Sequence, residues 1–219
     1  MANRSSFDNS LNELREDIKH MAGMAREALS LSVSSLKEQD MALAEKVIQN
    51  DKAINGFEEK INDNAILLIA KEQPLATDLR KIIVSLKISS DIERIADFAV
   101  NVAKGTKRIG YAELVKPIIH IPKMAELVND MLTQAIDAYK YEDTKLAIDS
   151  SKIDDQVDAL YKESITELIE IASQDNTNIE QIMQLAMICR YLERSGDHVT
   201  NISENTIYMV KGIKTDLNT

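Results

Sequence analysis

The sequence of 219 residues contains one polar motif twice, one hundred positions apart. Residues 86–101 and 186–201 both include the pattern E-R-x-x-D-x-x-x-N, in which x is any residue. A second alignment, at an offset of 99, places Asn55 opposite Asp154. Two alignments at nearly the same offset indicate a duplicated unit. Because one unit of this size has little interior of its own, we expect the two copies to pack together.

Each copy has the apolar spacing of three long helices. Apolar residues recur every three or four positions through residues 7–36, 41–71, 75–105, 123–139, 143–173 and 179–210. Six glycines and three prolines are too few for a β-rich chain. Glycines and prolines between positions 105 and 122 interrupt the pattern and indicate a linker. The sequence therefore predicts an all-α fold of six long helices, forming two similar three-helix bundles over residues 1–108 and 109–219.

The repeated motif places oxygen-bearing side chains along one face of the last helix in each copy. They are spaced four residues apart: Glu93, Asp97 and Asn101 in the first copy, and Glu193, Asp197 and Asn201 in the second. Residues four apart lie above one another on a helix. In both copies the first carboxylate continues a line of apolar residues seven positions apart, so we expect this face to meet a groove or the core.

The middle helix of each copy carries a second set of polar residues. The set is Asp51, Asn55 and Glu59 in the first copy, with Ser150, Asp154 and Asp158 at the corresponding positions of the second. If the middle and last helices face one another, Asp51, Asn55 and Asp154 complete two clusters of oxygen ligands. Half-buried carboxylates one turn apart repel each other, and divalent or ferric ions accept such ligands from facing helices. We predict two metal centres, and we expect the first to be fuller because Asp51 has a serine as its counterpart.

Three other interpretations of the acidic faces stay open. They could be solvated helix faces with Arg94 and Arg194 as counter-charges, or exposed parts of a scaffold that is indifferent to metal. They could also hold the metals of a phosphoester hydrolase, although the sequence has no phosphate-binding glycine loop or nucleophile motif.

Asp91 lies about 200° around the helix from Glu93, and we leave it outside the cluster. His198 has Phe98 as its counterpart, so we interpret it as an incidental packing residue.

Charge and cysteine content limit the classes of partner. The formal net charge of -10 disfavours nucleic acid, whose phosphates need a basic surface. Cys189 is the only cysteine, which excludes an intrachain disulfide and a thiolate zinc site, and its apolar surroundings predict a buried thiol. The first ten residues contain no apolar signal segment, and no apolar run reaches the length of a membrane span. We expect a cytoplasmic protein that meets membranes only through partners.

Four segments of the chain resemble the PhoU family. They are DKAIN at 51–55, QPLATDLR at 73–80, DIERIADFAVN at 91–101 and YLERSGDHVTN at 191–201. The resemblance implies two spectrin-repeat-like bundles of three helices each. It also implies that the pairs Glu93/Asp97 and Glu193/Asp197 bind metal, with iron or zinc expected first.

The resemblance further implies a function without catalysis. PhoU-like proteins are accessory to the phosphate-specific ABC transporter and act negatively on phosphate uptake and on phosphate-starvation signalling. The expected partners are the transporter, through its ATPase subunit, and a PhoR-type sensor kinase. Many members of the family are dimers, so a homodimer is expected here.

Overall fold

The computed structural model describes residues 2–175 and 177–217, with residues 2–5 as backbone only. The helices in these ranges are α1 (Ala2–Glu38), α2 (Met41–Glu72), α3 (Thr77–Ile109), α4 (His120–Tyr141), α5 (Thr144–Ser151), α6 (Asp154–Gln174) and α7 (Ile179–Lys211). Six of them have 21 residues or more, and α5 has eight. The same ranges contain no strand. The prediction of an all-α fold with six long helices is confirmed.

The prediction of one continuous fifth helix over residues 143–173 is wrong, because the segment is divided into α5 and α6 at residues 152 and 153. Near the division the Ser150 hydroxyl donates to the carbonyl of Met131, and the Ser151 hydroxyl donates to the carbonyl of Ile148. The Ser151 bond reaches one turn back along its own helix, and such bonds weaken the helical ladder, whereas the Ser150 bond joins α5 to α4. Asp154 and Asp155 then lie in the first turn of α6, where negative charge favours the N-terminus of a helix.

The predicted end of the third helix at Gly105 is also wrong, because α3 continues to Ile109. Gly105 is buried, and a Cβ built on it would lie 3.0 Å from Cδ1 of Ile188 in α7. This glycine therefore permits close packing between helices. Gly110 follows the helix with φ of +67°, and its N–H donates to the carbonyl of Thr106, as a glycine after a helix commonly does.

Helices α3 and α7 pack against each other at the centre of the molecule and run in opposite directions. Asp91 meets His198 near their midpoints, whereas Gly105 meets Ile188. α1 and α2 pack on α3, α4 and α6 pack on α7, and α1 also touches α4. The pattern of buried and exposed positions over residues 91–103 is the same as that over residues 191–203. One apolar core runs through both repeats.

A half-buried ionic group joins the two repeats at the end of α4. Glu142 follows α4 with φ of +55°, and its carboxylate accepts bonds from Arg15 on α1 and Lys81 on α3. The Tyr139 hydroxyl, which is buried, lies 2.6 Å from that of Ser85. These contacts fix the second repeat against the first. None of the helices in the described ranges combines the length and the apolar content needed to cross a bilayer.

Candidate metal centres

The first cluster lies where α2 faces α3. Asp51, Asn55, Glu93 and Asp97 are all half-buried there. The Asn55 amide donates to Oδ2 of Asp51 at 3.2 Å. Oδ1 of Asp51 and Oδ1 of Asn55 are buried and accept no hydrogen bond. The structure thus brings together the residues that the sequence placed on two separate helices.

The electrostatics of this cluster reflect crowding of negative charge. Burial, followed by repulsion from Asp97, raises the pKa of Asp51 and of Glu93 above their usual values. The Arg94 guanidinium lies 3.0 Å from Oδ2 of Asp97 and 3.6 Å from Oε2 of Glu93. Arg94 therefore lies near both carboxylates, as the solvated-face interpretation expected. Its side chain is 57% exposed, however, so this pairing at the rim offsets little of the repulsion.

The second cluster lies where the first turn of α6 meets α7, and it contains Asp154, Glu193 and Asp197. Oδ2 of Asp154 accepts a bond from the Thr200 hydroxyl at 3.0 Å. Oδ1 of Asp154 and Oε2 of Glu193 are buried and accept none. Oε1 of Glu193 accepts a bond from Arg190, which forms the ion pair, whereas Arg194 acts on Glu193 only through its charge.

Burial also dominates the electrostatics of the second cluster. It raises the pKa of Asp154 from its usual 3.8 to about 7, and repulsion from Asp197, Asp158 and Glu193 adds to this rise. Burial raises the pKa of Glu193 and of Asp197 as well. In both clusters, therefore, burial is the main cause of the raised carboxylate pKa values, and neighbouring carboxylates raise them further.

The outer members of the predicted sets contribute less. Asn101 and Asn201 are half-buried, and no hydrogen bond joins either to the carboxylates within the described residues. Glu59 is exposed. Ser150 is buried and bonds to Met131 and Ser203, away from the second cluster. The prediction that the first centre is the fuller one stays a prediction.

The four unpartnered buried oxygens fit a cation. A buried acceptor without a partner costs about 1–3 kcal/mol, and each cluster has two of them, on Asp51 and Asn55 or on Asp154 and Glu193. Oxygen ligands of this kind suit hard and borderline cations. In the part of the chain that the structure describes, no three acidic, histidine or cysteine side chains are already gathered at coordinating geometry. Rotation of the carboxylates toward a cation would therefore be part of binding.

The half-burial of both clusters contradicts the exposure expected of a metal-indifferent scaffold, whereas metal binding itself stays a prediction. An acidic face of a metal-indifferent scaffold was expected to be exposed, whereas Glu93, Asp97, Glu193 and Asp197 are all half-buried. The sequence reasoning missed Gly196 and Thr200, which lie against Asp154. A glycine inside a helical pattern was the available signal for Gly196.

Asp91 and His198 lie outside both clusters and bind each other. Nδ1 of His198 lies 2.9 Å from Oδ1 of Asp91 across the α3–α7 contact. Their counterparts, Tyr191 and Phe98, stack with ring centroids 5.9 Å apart. The corresponding positions of the two repeats therefore meet twice, once as a polar pair and once as an aromatic pair. The His198 ring also packs 5.7 Å from that of Phe98, but its bond to Asp91 shows that it is not incidental.

The comparisons with known proteins agree with this architecture. The PhoU domain model matches residues 18–106 and 121–206. The chain is 37% identical to the phosphate-specific transport system accessory protein PhoU homolog of Clostridium acetobutylicum, over 98% of this chain and 99% of that one. It is 34% identical to the homolog of the same name from Rhizobium meliloti, over 95% and 88% of the two chains.

Solved structures show the same fold. The crystal structure of PhoU from Pseudomonas aeruginosa superposes with a TM-score of 0.89 at 32% identity, over 94% of this chain and 100% of that one. The PhoU structure from Streptococcus pneumoniae, described as a phosphate transport system regulatory protein, gives 0.89 at 28% identity, over 96% and 100% of the two chains. From its repeats, its fold and these relatives, the chain belongs to the PhoU family.

Proposed function

We propose that this protein regulates a phosphate-specific transport system by binding to it, and that metal ions in the two carboxylate clusters shape the binding surface. The observation that carries the metal part is the set of four buried, unpartnered oxygens, two in each repeat. The partner is inferred from the relatives, which are named accessory proteins of a phosphate-specific transport system.

The partner within that system is the ATPase subunit of the ABC transporter. Binding there holds back phosphate uptake, and a contact with a PhoR-type sensor kinase holds back phosphate-starvation signalling. The protein acts in the cytoplasm, because the ATPase subunit lies there, and it reaches the membrane only through these partners. It works as a homodimer and has no role in nucleic-acid binding, in keeping with its net charge of -10.

The proposed metal ligands are members of the two clusters. In the first, Asp51, Asn55, Glu93 and Asp97 would be ligands, with Asn101 one turn beyond. In the second, Asp154, Glu193 and Asp197 would be ligands, with Asn201 one turn beyond. Bound iron or zinc would neutralise the carboxylates and tie α2 to α3 and α6 to α7.

The metal proposal is tested by elemental analysis and calorimetric titration with Zn²⁺ and with iron. Purified wild type is expected to bind, Glu93→Ala/Asp97→Ala to lose the first centre, and Glu193→Ala/Asp197→Ala to lose the second. Glu59→Ala, which removes an exposed carboxylate of α2, is the matched control and should bind as wild type does. A wild type that takes up neither metal would refute this part.

The partner proposal is tested by a pull-down with the transporter ATPase. Metal-loaded wild type is expected to retain it, and both double variants to retain less. Equal retention by wild type with metal, by wild type in chelator and by the variants would refute a role for metal in docking. The comparisons give no support to the phosphoester hydrolase alternative, and we expect no phosphoester turnover by the loaded protein above that of the free metal.

A further inference from the structure

Gly196 occupies an unusual place in the second cluster. It is buried in the interior of α7, where only proline is less favourable than glycine. A Cβ built on Gly196 would overlap Oδ1 of Asp154, and it would meet Cγ1 of Val157 at an ordinary 3.8 Å. The space that any other residue would fill is therefore taken by a carboxylate of α6.

One hydrogen bond anchors that carboxylate on α7, and its other oxygen lies over Gly196. One oxygen, Oδ2, accepts the bond from Thr200, which lies one turn beyond Gly196. The other, Oδ1, is the oxygen over Gly196, and it has no hydrogen-bond donor. Glu193 and Asp197 lie three residues before and one residue after Gly196. The glycine thus lets the Asp154 carboxylate approach α7 beside the carboxylates of the repeated motif.

The first repeat lacks every part of this arrangement. Ala96 is the counterpart of Gly196 and is fully buried, and Val100 is the counterpart of Thr200. Asn55 is the counterpart of Asp154, and its amide bonds to Asp51. The carboxylate, the glycine that makes space for it and the hydroxyl that anchors it therefore occur together in one repeat only.

We infer that Gly196 is the positioning residue of the second metal centre, and that it makes this centre different in kind from the first. The inference rests on the proposed metal function. A side chain at position 196 drives the Asp154 carboxylate away from Glu193 and Asp197. A methyl group is enough, and because the displaced atoms end a flexible side chain, the helix packing survives.

The test is a Zn²⁺ titration of the full chain in the Glu93→Ala/Asp97→Ala background, which leaves the second centre alone. Gly196→Ala is expected to weaken binding at least tenfold. It should leave the melting temperature of the chelator-treated protein unchanged or higher, because alanine favours the helix. Ala96→Gly, the matched change in the first repeat, should leave the affinity of the second centre unchanged.

Two further variants separate positioning from a general packing effect. In an Asp154→Ala background, Gly196→Ala should cost no additional affinity, because both changes remove the same ligand. Thr200→Val copies the first repeat at the other anchor and should also weaken the second centre. It supplies the test if Gly196→Ala does not fold.

The outcomes distinguish this inference from the function on which it rests. If the wild type binds neither Zn²⁺ nor iron, the metal function fails and the inference fails with it. If the second centre fills but Gly196→Ala and Thr200→Val bind as tightly as their parent, the metal function stands and the inference is overturned. A further loss of affinity on adding Gly196→Ala to Asp154→Ala would also overturn it.

Discussion

The carboxylate of Asp154 should destabilise the metal-free protein, and Asp154→Asn should relieve the cost. The substitution keeps an acceptor oxygen for Thr200 and removes the negative charge. A pKa of about 7 in place of the usual 3.8 corresponds to a loss of about 4 kcal/mol in the free energy of unfolding at pH values above both. Because Asp154 keeps part of its surface in solvent, screening reduces this, and we expect a gain of about 1–2 kcal/mol in the free energy of unfolding.

The sign of the pH dependence follows from the direction of the pKa change. The folded protein binds the Asp154 proton more tightly than the unfolded chain does. Stability from this group is therefore present below pH 4 and is lost as the pH rises from about 4 to about 7. Asp154→Asn should match wild type near pH 4 and exceed it at pH 7.5.

The assay is urea unfolding followed by circular dichroism, in chelator, at several pH values between 4 and 8. Asp155→Asn is the control, because Asp155 also lies in the first turn of α6 but is exposed, so it reports the loss of helix-terminal charge alone. Added Zn²⁺ should reverse the order, since wild type gains binding free energy that the variant loses. An Asp154→Asn variant less stable than wild type at pH 7.5 in chelator would refute the reasoning.

Two further predictions concern the contact between the repeats. Burial alone would raise the pKa of Glu142, but the bonds from Lys81 and Arg15 outweigh it and lower that pKa. In urea unfolding at pH 7, Glu142→Gln should lower the free energy of unfolding by about 1–3 kcal/mol. The loss should shrink as the pH falls through the lowered pKa of Glu142. An unchanged urea midpoint at pH 7 would contradict this prediction. Burial raises the pKa of Tyr139 to about 12, so above about pH 10 wild type should lose more stability than Tyr139→Phe does, since both lose the lysine ion pairs. At pH 7 the lost bond to Ser85 should cost Tyr139→Phe about 1 kcal/mol in the same assay, and a more stable variant would count against the bond.

Much of the fold could be predicted because helices are encoded locally. Apolar residues three and four apart, few glycines and a motif repeated after one hundred positions are enough to give long helices in two similar sets. The same local rule placed Glu93 and Asp97 on one face, and the apolar line before them indicated that this face is half-buried. These features depend on residues within one or two turns of each other.

The pairing of side chains across helices needed the tertiary structure. Arg190 and Arg194 both lie within one turn of Glu193, and only the positions of the side chains show that Arg190 pairs with it. Asp91 and His198 are more than one hundred positions apart in sequence, and they meet because α3 and α7 cross near their midpoints.

The sequence by itself determined that two helices carry matching carboxylates, since spacing along one helix is a local property. Only the tertiary structure decided that Asp154 comes down on Gly196 and bonds to Thr200, because that contact depends on the division between α5 and α6 and on how closely α6 approaches α7. A helix periodicity contains no information about that distance. The difference between the two candidate centres therefore became visible only in three dimensions.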